Sequence, residues 1–266
     1  MEEYEDYLKQ RREEPGEPGD AEELIYENSK LLGGGHFTIR SKLKPINLQD
    51  FGSKHNLSPQ DSNKFRSALG DFMSKSLQDA GIQLPDNLWI KFPPTHIVST
   101  NEPLIMSSSH EHTKCQITPF QYLKVNYESY ETWRVATDFL RCNPRFQNQP
   151  RYDFVIFRTE NDGLMFAQLK HLFTCAVGAE KYAVAYVQSY KVVAFARRSR
   201  SDKALGILRV KRDKMEFVSV HSVIRGALLV ATTASDVLEE ERLVVDTIDY
   251  DMFLRVKKHW PGYTDN

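Results

Sequence analysis

The feature that most constrains this chain is a series of short apolar segments that follow one another from residue 152 onward. Runs rich in Val, Ile, Phe and Tyr, separated by polar turns, are typical of antiparallel sheets. No long helical period interrupts them, which argues against a doubly wound α/β sheet. The pattern therefore predicts a β-barrel-like or strongly curled antiparallel sheet. The segments are 153–158, 163–175, 182–196, 205–211, 217–224, 227–231, 243–248 and 252–256.

Two helices are predicted before this sheet, which makes the fold class α+β. In residues 58–79, Ser58 can cap the helix and Pro59 suits its first position. One apolar stripe follows at three- and four-residue steps: Phe65, Leu69, Phe72, Met73 and Leu77. A second helix is predicted over residues 128–141, with Trp133 on its apolar face and Asn143-Pro144 ending it.

Charge and proline content divide the chain into four parts. Residues 1–27 carry eleven Asp or Glu and only three Lys or Arg, although the whole chain has a net charge of −1. Residues 1–35 are therefore predicted to be a disordered acidic tail. A helical segment and an irregular, proline-containing connector are expected over 36–122, a β-rich domain over 123–258, and a short tail over 259–266.

Composition excludes several classes of protein. No run of 18 or more apolar residues occurs, so no membrane partner is expected. The acidic start lacks the apolar core of a secretion signal. Three widely spaced cysteines, Cys115, Cys142 and Cys175, do not form a disulfide framework, which favours an intracellular location. No small-molecule substrate can be inferred.

Residues 125–256 resemble the C-terminal region of fungal transposase-like proteins of the Kyakuja–Dileera–Zisupton and Plavaka type. The resembling stretches include NYESYETWRVATDFLRCNPRF, PRYDFVIFR, FAQLKHLFTC and YAVAYVQSY, with VHSVIRGALLV and DTIDYDMFLR the most distinctive. The segment FTIRSKLKPINLQDFGSKHNLSPQDSNKFRSALGDFM is similar to the part that precedes this region. The resemblance implies a transposon-derived protein in a nuclear setting. It carries over no catalytic residues, because the transposase core of such proteins lies upstream.

The main candidate site is a basic loop over residues 197–214. Arg197–Arg200 are predicted to lie at a hairpin tip, and Arg209 and Lys211 to project from one face of a strand. Its cations face few acids and could neutralise phosphates, with Phe195 and Phe217 offering stacking surface. A solvated loop without a partner is the alternative. The nucleic-acid-binding candidates are Arg197, Arg198, Arg200, Lys203, Arg209, Lys211 and Arg212.

Three further constellations admit a metal, and for each a structural role is favoured. Asp153 with Gln168-x-Lys170 has the order of a restriction-type nuclease. Asp246, Asp249 and Asp251 could hold a divalent cation, or Asp249 and Asp251 could pair with Arg225. Potential zinc ligands are His110, His112 and Cys115, with His96 nearby. His171 and Cys175 are expected to be buried structural residues.

The sequence thus predicts a non-catalytic interaction module without a cofactor or resident metal. Its partner would be a nucleic acid or another protein, bound through the basic loop, and its location intracellular and nuclear. A metal-dependent nuclease or strand-transfer remnant that uses Asp153 and neighbouring carboxylates is the alternative. The oligomeric state stays open.

Overall fold

The computed structural model describes residues 24–26, 36–55, 57–79, 116–159, 161, 163–177, 180–194, 199–231 and 241–260. Within these ranges, thirteen strands form one antiparallel sheet that curls into a half-barrel, accompanied by four helices. The prediction of an α+β fold with a curled, barrel-like sheet is confirmed. No helix in the described ranges is long and apolar enough to cross a membrane.

The bounds of the elements are as follows. The strands are β1 Leu24–Tyr26, β2 His36–Lys42, β3 Ile46–Asn47, β4 Gln116–Glu128, β5 Val135–Phe146, β6 Gln149–Tyr152, β7 Phe154–Arg158, β8 Leu164–Val177, β9 Glu180–Val192, β10 Leu208–Ser219, β11 Val223–Ala227, β12 Leu229–Ala231 and β13 Glu241–Val244. The helices are α1 Phe51–Lys54, α2 Pro59–Asp79, α3 Arg200–Ala204 and α4 Tyr250–His259.

The curl of the sheet comes from strand β4, whose pairing is divided between two neighbours. One edge of β4 pairs with β2 and β3. The other edge pairs with β8 over residues 117–120 and with β5 over residues 122–128. Strand β8 divides in the same way, because its first half pairs with β7 and its second half with β4. Diverging partners split the sheet, and the split lets it curl around an interior core.

This interior core contains alternate residues of most of the long strands. Leu123 and Val125 of β4 and Leu140 of β5 point into it, together with Leu169 of β8 and Val187 of β9. Successive side chains of a strand point to opposite faces, so the intervening residues of β4 and β5 face away from the core. The burial of β5 alternates accordingly over Val135–Cys142.

Helix α2 covers the opposite face of β4, β8, β9 and β10. Ser58 Oγ accepts a hydrogen bond from the Asp61 amide at 3.1 Å, which is the predicted cap. The stripe residues Phe65, Leu69 and Met73 are buried against the sheet, among partners that include Phe173 and Phe217. The predicted helix over 58–79 is confirmed, with its first residue at Pro59.

The predicted helix over residues 128–141 is wrong. Residues 129–134 form a turn, and Val135–Phe146 is strand β5, paired with β4 on one side and β6 on the other. The spacing of apolar residues in this segment suits a helix. The segment is a strand because its backbone hydrogen bonds are made to the two neighbouring strands, β4 and β6. Pro144 lies inside the strand because the register shifts between Asn143 and Phe146, where a missing amide is tolerated.

The predicted strand over residues 252–256 is also wrong, because these residues belong to α4. Asp249 caps this helix by accepting a hydrogen bond from the Met252 amide at 2.7 Å. Met252 and Val256, four residues apart, are buried against β7, β8, β10 and β13. The cap and this spacing are helix signals that the sequence contained. The strand predicted over 243–248 is Glu241–Val244 in the structure, followed by a 3₁₀ turn at Asp246–Ile248.

Two predicted irregular segments contain strands. Residues 116–122, assigned to the connector, form the first part of β4. Residues 24–26, assigned to the acidic tail, pair with β2. The remainder of the predicted tail and connector, residues 1–23, 27–35 and 83–115, lies outside the described residues, as does the C-terminal tail from residue 261.

Removing the Leu69 side chain tests the docking of α2. Leu69→Ala is expected to destabilise the chain by about 2–5 kcal/mol, because it leaves a cavity where a fully buried side chain packs. The measurement is urea unfolding followed by circular dichroism. Ser67→Ala, on the exposed side of the same helix, is the control and should change stability by less than about 0.5 kcal/mol.

Candidate functional site

The predicted basic loop is partly a helix. Arg200 and Lys203 belong to α3, a short helix that Ser199 caps by accepting a hydrogen bond from the Asp202 amide at 3.0 Å. Arg200 is exposed and Lys203 is half-buried. Arg197 and Arg198 lie outside the described residues, as does Phe195. The geometry of the predicted tip is therefore described only from residue 199 onward.

Several charges of this loop already have partners within the chain. Arg209 Nε and Nη2 donate to the two carboxylate oxygens of Asp202, each at 3.1 Å, and Glu241 lies 3.6 Å from Arg209. The hydrogen bond from Arg209 lowers the pKa of Asp202. Arg212 Nε donates to Gln188 Oε1 at 2.8 Å, and Lys211 is exposed. Intramolecular pairing therefore engages at least two of the predicted phosphate-binding side chains.

Phe217 does not offer the stacking surface that the sequence suggested. Its ring is buried under α2, with the Phe65 ring 5.0 Å and the Phe72 ring 6.1 Å away. The prediction is wrong because alternation along β10 turns Phe217 toward the helix.

The predicted nuclease residues organise the backbone around β5, β6 and β7. Asp153 Oδ2 accepts from the Arg141 amide at 2.7 Å, and Asp153 Oδ1 accepts from Arg151 Nε at 3.0 Å. Gln168 Nε2 donates to the Tyr152 carbonyl at 3.1 Å, and Lys170 lies 5.3 Å from the centre of the Tyr152 ring. Among the described residues, no three His, Cys, Asp or Glu side chains are grouped to hold a metal.

The other metal candidates divide between a structural role and undescribed residues. His96, His110, His112 and Cys115 lie outside the described part of the chain. Asp246 stands apart from the Arg225 contacts, and burial raises its pKa. Asp249 and Asp251 both bind Arg225, which was the structural interpretation of the sequence.

Arg225 and its partners form a buried ionic cluster that joins β11, α4 and the β4–β5 hairpin. Arg225 donates to Asp249 at 2.7 and 2.9 Å and to Asp251 at 2.6 Å, while only 5% of Arg225 is exposed. Arg255 Nε donates to Asp251 at 2.7 Å, and Arg255 Nη2 donates to the Glu128 carbonyl at 2.5 Å. We call Arg225, Asp249, Asp251 and Arg255 the ionic cluster.

The ionic cluster keeps its carboxylates charged. Burial alone would raise the pKa of Asp251, but hydrogen bonds from Arg255, the Tyr130 amide and Arg225 lower it below its ordinary value. The pKa of Asp249 is lowered in the same way, chiefly by Arg225 and the Met252 amide acting against burial. The neighbouring Gly226 amide donates to Asp138 at 2.8 Å. A Cβ at Gly226 would lie 2.9 Å from Leu140 Cδ2, so any larger residue there would displace the end of the Leu140 side chain.

A basic and aromatic surface, which the sequence analysis missed, covers the outer side of β2, β4 and β5. Cross-strand pairing places Arg40, Tyr122 and Arg141 in one row and Lys124 beside Phe139 in the next. The inward neighbours of these residues lie in the interior core, so this row faces away from it. Phe146 and Arg151 continue the surface toward β6. We call this set the basic–aromatic face: Arg40, Tyr122, Lys124, Phe139, Arg141, Phe146 and Arg151.

The side chains of the basic–aromatic face stack on one another. The Arg141 guanidinium lies 4.5 Å from the centre of the Tyr122 ring and 5.2 Å from that of Phe146. The Arg151 guanidinium lies 5.1 Å from the Phe146 ring, and the Tyr122 and Phe139 rings stack at 6.0 Å. Phe139 is 57% exposed, although phenylalanine is among the residue types most often buried. The alternation of apolar and polar residues over 120–127 and 135–142 indicates this face. The wrong prediction of a helix over 128–141 is the reason that it was not predicted.

An open pocket of about 70 Å³ lies near this face, where β4 parts from β8. Phe51, Phe120 and Cys142 line it, together with His55 and His171, whose rings are 4.4 Å apart. Burial raises the pKa of the Cys142 thiol to about 12, so this sulfur is not a nucleophile at neutral pH. Burial, and then the charges of His55 and Lys170, lower the pKa of His171 to about 3. Cys175 is buried in the core beneath α1 and α2, as expected, whereas His171 is half-buried and packs its ring against Phe51.

No family model matches the chain, and a search of the curated proteins found no match. The chain is therefore described by its fold and surface: it is an antiparallel half-barrel whose outer side carries a basic–aromatic face. The resemblance to transposase-like proteins stays a prediction.

Loss of Arg225 tests the ionic cluster. Arg225→Met is expected to destabilise the fold by about 3 kcal/mol, because it leaves Asp249 without its cation and Asp251 with Arg255 alone. Urea unfolding at pH 7 measures the change, with Arg145→Met at an exposed position of β5 as the control. Equal stabilities of the two variants would contradict the role given to Arg225.

Acid titration tests the half-buried imidazole of His171. Its folded pKa of about 3 lies below the ordinary 6.5, so between these values the unfolded chain binds the extra proton. Stability should therefore fall as the pH drops from 6.5 toward 3, and His171 should contribute about 1 kcal/mol per pH unit to this slope. His171→Phe should make the slope shallower in urea unfolding measured across this range. An unchanged slope would show that His171 is not the group responsible.

Proposed function

We propose that this chain is a non-catalytic interaction module that binds single-stranded nucleic acid on its basic–aromatic face. The supporting observation is the row in which the Arg141 guanidinium lies between the rings of Tyr122 and Phe146, beside the exposed ring of Phe139. Nonspecific single-strand binding combines a cationic track for the phosphates with aromatic rings on which bases stack. Both components occur here on one sheet face.

The charge of the face favours a polyanion over a protein partner. Lys124, Arg141 and Arg151 project from neighbouring strands, and Asp153 pairs with one of them, Arg151. Stacked guanidinium groups can bind a phosphate at their edges while their planes pack on aromatic rings. An apolar protein partner would leave these cations buried without a counter-charge, which costs free energy.

The basic loop is a second contact within the same proposal. Arg200 is exposed there, whereas Arg209 and Arg212 bind Asp202 and Gln188. The loop would then add electrostatic attraction, and the basic–aromatic face would hold the bases. The transposon-derived origin and nuclear setting implied by the resemblance are part of this proposal, since DNA or RNA is the expected ligand there.

The alternative of a metal-dependent nuclease has no comparable support. Both oxygens of Asp153 accept hydrogen bonds that hold β5 and β6 together. Asp249 and Asp251 neutralise Arg225. A nuclease site would require these carboxylates to leave their present partners and converge on a metal.

Two substitutions in the face test the proposal. Phe139→Ala is expected to weaken binding of a fluorescent oligothymidylate by about 1–3 kcal/mol, because one base loses its stacking partner. Arg141→Gln should weaken binding and reduce the slope of log K against log salt by about 0.7, the contribution of one phosphate on a single strand. Fluorescence anisotropy over a range of salt concentrations measures both.

Matched controls separate the face from other exposed groups. Tyr250→Ala removes an exposed aromatic ring from α4, and Lys64→Gln removes an exposed cation from α2. Neither should change affinity by more than about twofold. Arg197, Arg198 and Arg200 replaced together by Ala should weaken binding uniformly through lost electrostatics. If only this triple variant reduces affinity, the loop is the site and the face is not. If the wild-type chain binds no oligonucleotide at low salt, the proposed function is wrong.

A further inference from the structure

Trp133 lies at the end of the β4–β5 hairpin with an unusual exposure and an unusual backbone conformation. Its side chain is 73% exposed, and its backbone has a φ of 57°. A bulky residue rarely adopts this left-handed conformation, because its Cβ meets the neighbouring backbone. Exposure of an indole also forgoes the burial that most tryptophans obtain. The fold therefore holds Trp133 in a position that neither local conformation nor burial favours.

Hydrogen bonds within the turn impose this position. The Trp133 amide donates to the Ser129 carbonyl at 2.9 Å, and the Ser129 amide donates to the Arg134 carbonyl at 2.9 Å. Ser129 Oγ accepts from the Glu131 amide at 3.2 Å. These bonds close the turn on both sides of Trp133, so its backbone has little freedom to relax.

The ionic cluster anchors the same turn to the body of the protein. The Tyr130 amide donates to Asp251 at 2.6 Å, and Arg255 donates to the Glu128 carbonyl. The Tyr130 ring lies 4.1 Å from the Arg255 guanidinium and 4.8 Å from the Lys258 ammonium. Trp133 stacks on this ring, with centroids 6.4 Å apart. A buried cluster thus supports an exposed indole, an arrangement typical of a preorganised contact residue.

The turn continues the hairpin that carries the basic–aromatic face. Val135, 71% exposed, lies between Trp133 and Phe139 on the same strand side as Phe139. The six residue-to-residue steps from Trp133 to Phe139 span at most about 20 Å. A stacked single strand rises about 3.4 Å per nucleotide, so on the order of six nucleotides separate the two rings.

We propose that Trp133 is a stacking platform for a nucleobase at one end of a single strand bound along the basic–aromatic face. This inference rests on the proposed function and adds a second aromatic contact, away from Phe139. The neighbouring Lys258 places a cation beside the same turn for a phosphate of that end. The preferred ligand is then a single strand long enough to reach from Phe139 to Trp133, about six nucleotides or more.

A length series of labelled oligothymidylates tests the inference, with affinity measured by anisotropy and stability by thermal unfolding. Trp133→Gly should lower affinity by about 5- to 100-fold for strands of about ten nucleotides, the loss of one stacked base. Affinity for strands of about four nucleotides, too short to reach from Phe139 to the turn, should not change. Trp133→Tyr, which keeps an aromatic ring, should retain most of the affinity.

The stability readout separates a binding role from a structural one. Glycine adopts a positive φ without strain, so Trp133→Gly should leave Tm unchanged or raise it by about 2–4 °C while affinity falls. Gln147→Gly, at another positive φ of the chain, is the matched control and should affect stability in the same direction without loss of affinity.

Each other result would overturn the inference. Unchanged affinity of Trp133→Gly for the longer strands, with Phe139→Ala still defective, would remove Trp133 from the site and leave the proposed function standing. Loss of Tm together with affinity would assign Trp133 a structural role. Absence of binding by the wild-type chain would remove both proposals together.

Discussion

The arrangement of this protein depends on a guanidinium group that is buried with its counter-charges. Arg225 lies almost out of reach of solvent, where a cation without a partner would cost several kcal/mol. Asp249 and Asp251 provide the partners, and both come from the start of α4. Helix α4 must therefore lie against β11, and Arg255 in turn binds the backbone of the β4–β5 hairpin. One electrostatic requirement thus positions a strand, a helix and a hairpin.

The arginines of this protein fall into two groups, those that pair with carboxylates and those that stack on exposed aromatic rings. Arg209 and Arg225 bind carboxylates of their own chain and contribute to the fold. Arg141 instead stacks on aromatic rings at the outer side of the sheet. Counting cations along the sequence does not separate these two groups. The basic loop is dense in charge, yet two of its arginines are engaged internally, whereas the face has fewer cations and more aromatic surface.

Part of the fold was predictable because local signals and tertiary contacts agree. Helix α2 has its cap at Ser58 and a stripe that is buried as its spacing indicates. The pairing of Arg225 with Asp249 and Asp251 was among the interpretations of the sequence, because acids two residues apart suit a bidentate cation. The hairpin at residues 128–146 was not predicted. There the spacing of Trp133, Ala136 and Leu140 fits a helix. The segment becomes a strand only because it pairs with the flanking strands β4 and β6.

The sequence by itself determined the class of fold and its two types of secondary-structure element, a capped amphipathic helix and many short apolar strands. Such patterns act through neighbours along the chain, so they can be recognised without coordinates. Tertiary structure alone decided how β4 divides between β5 and β8, and therefore which residues share the outer side of the sheet. Arg40, Tyr122 and Arg141 are far apart in the chain and adjacent in space. Strand register is a non-local property, and the basic–aromatic face exists only because of it.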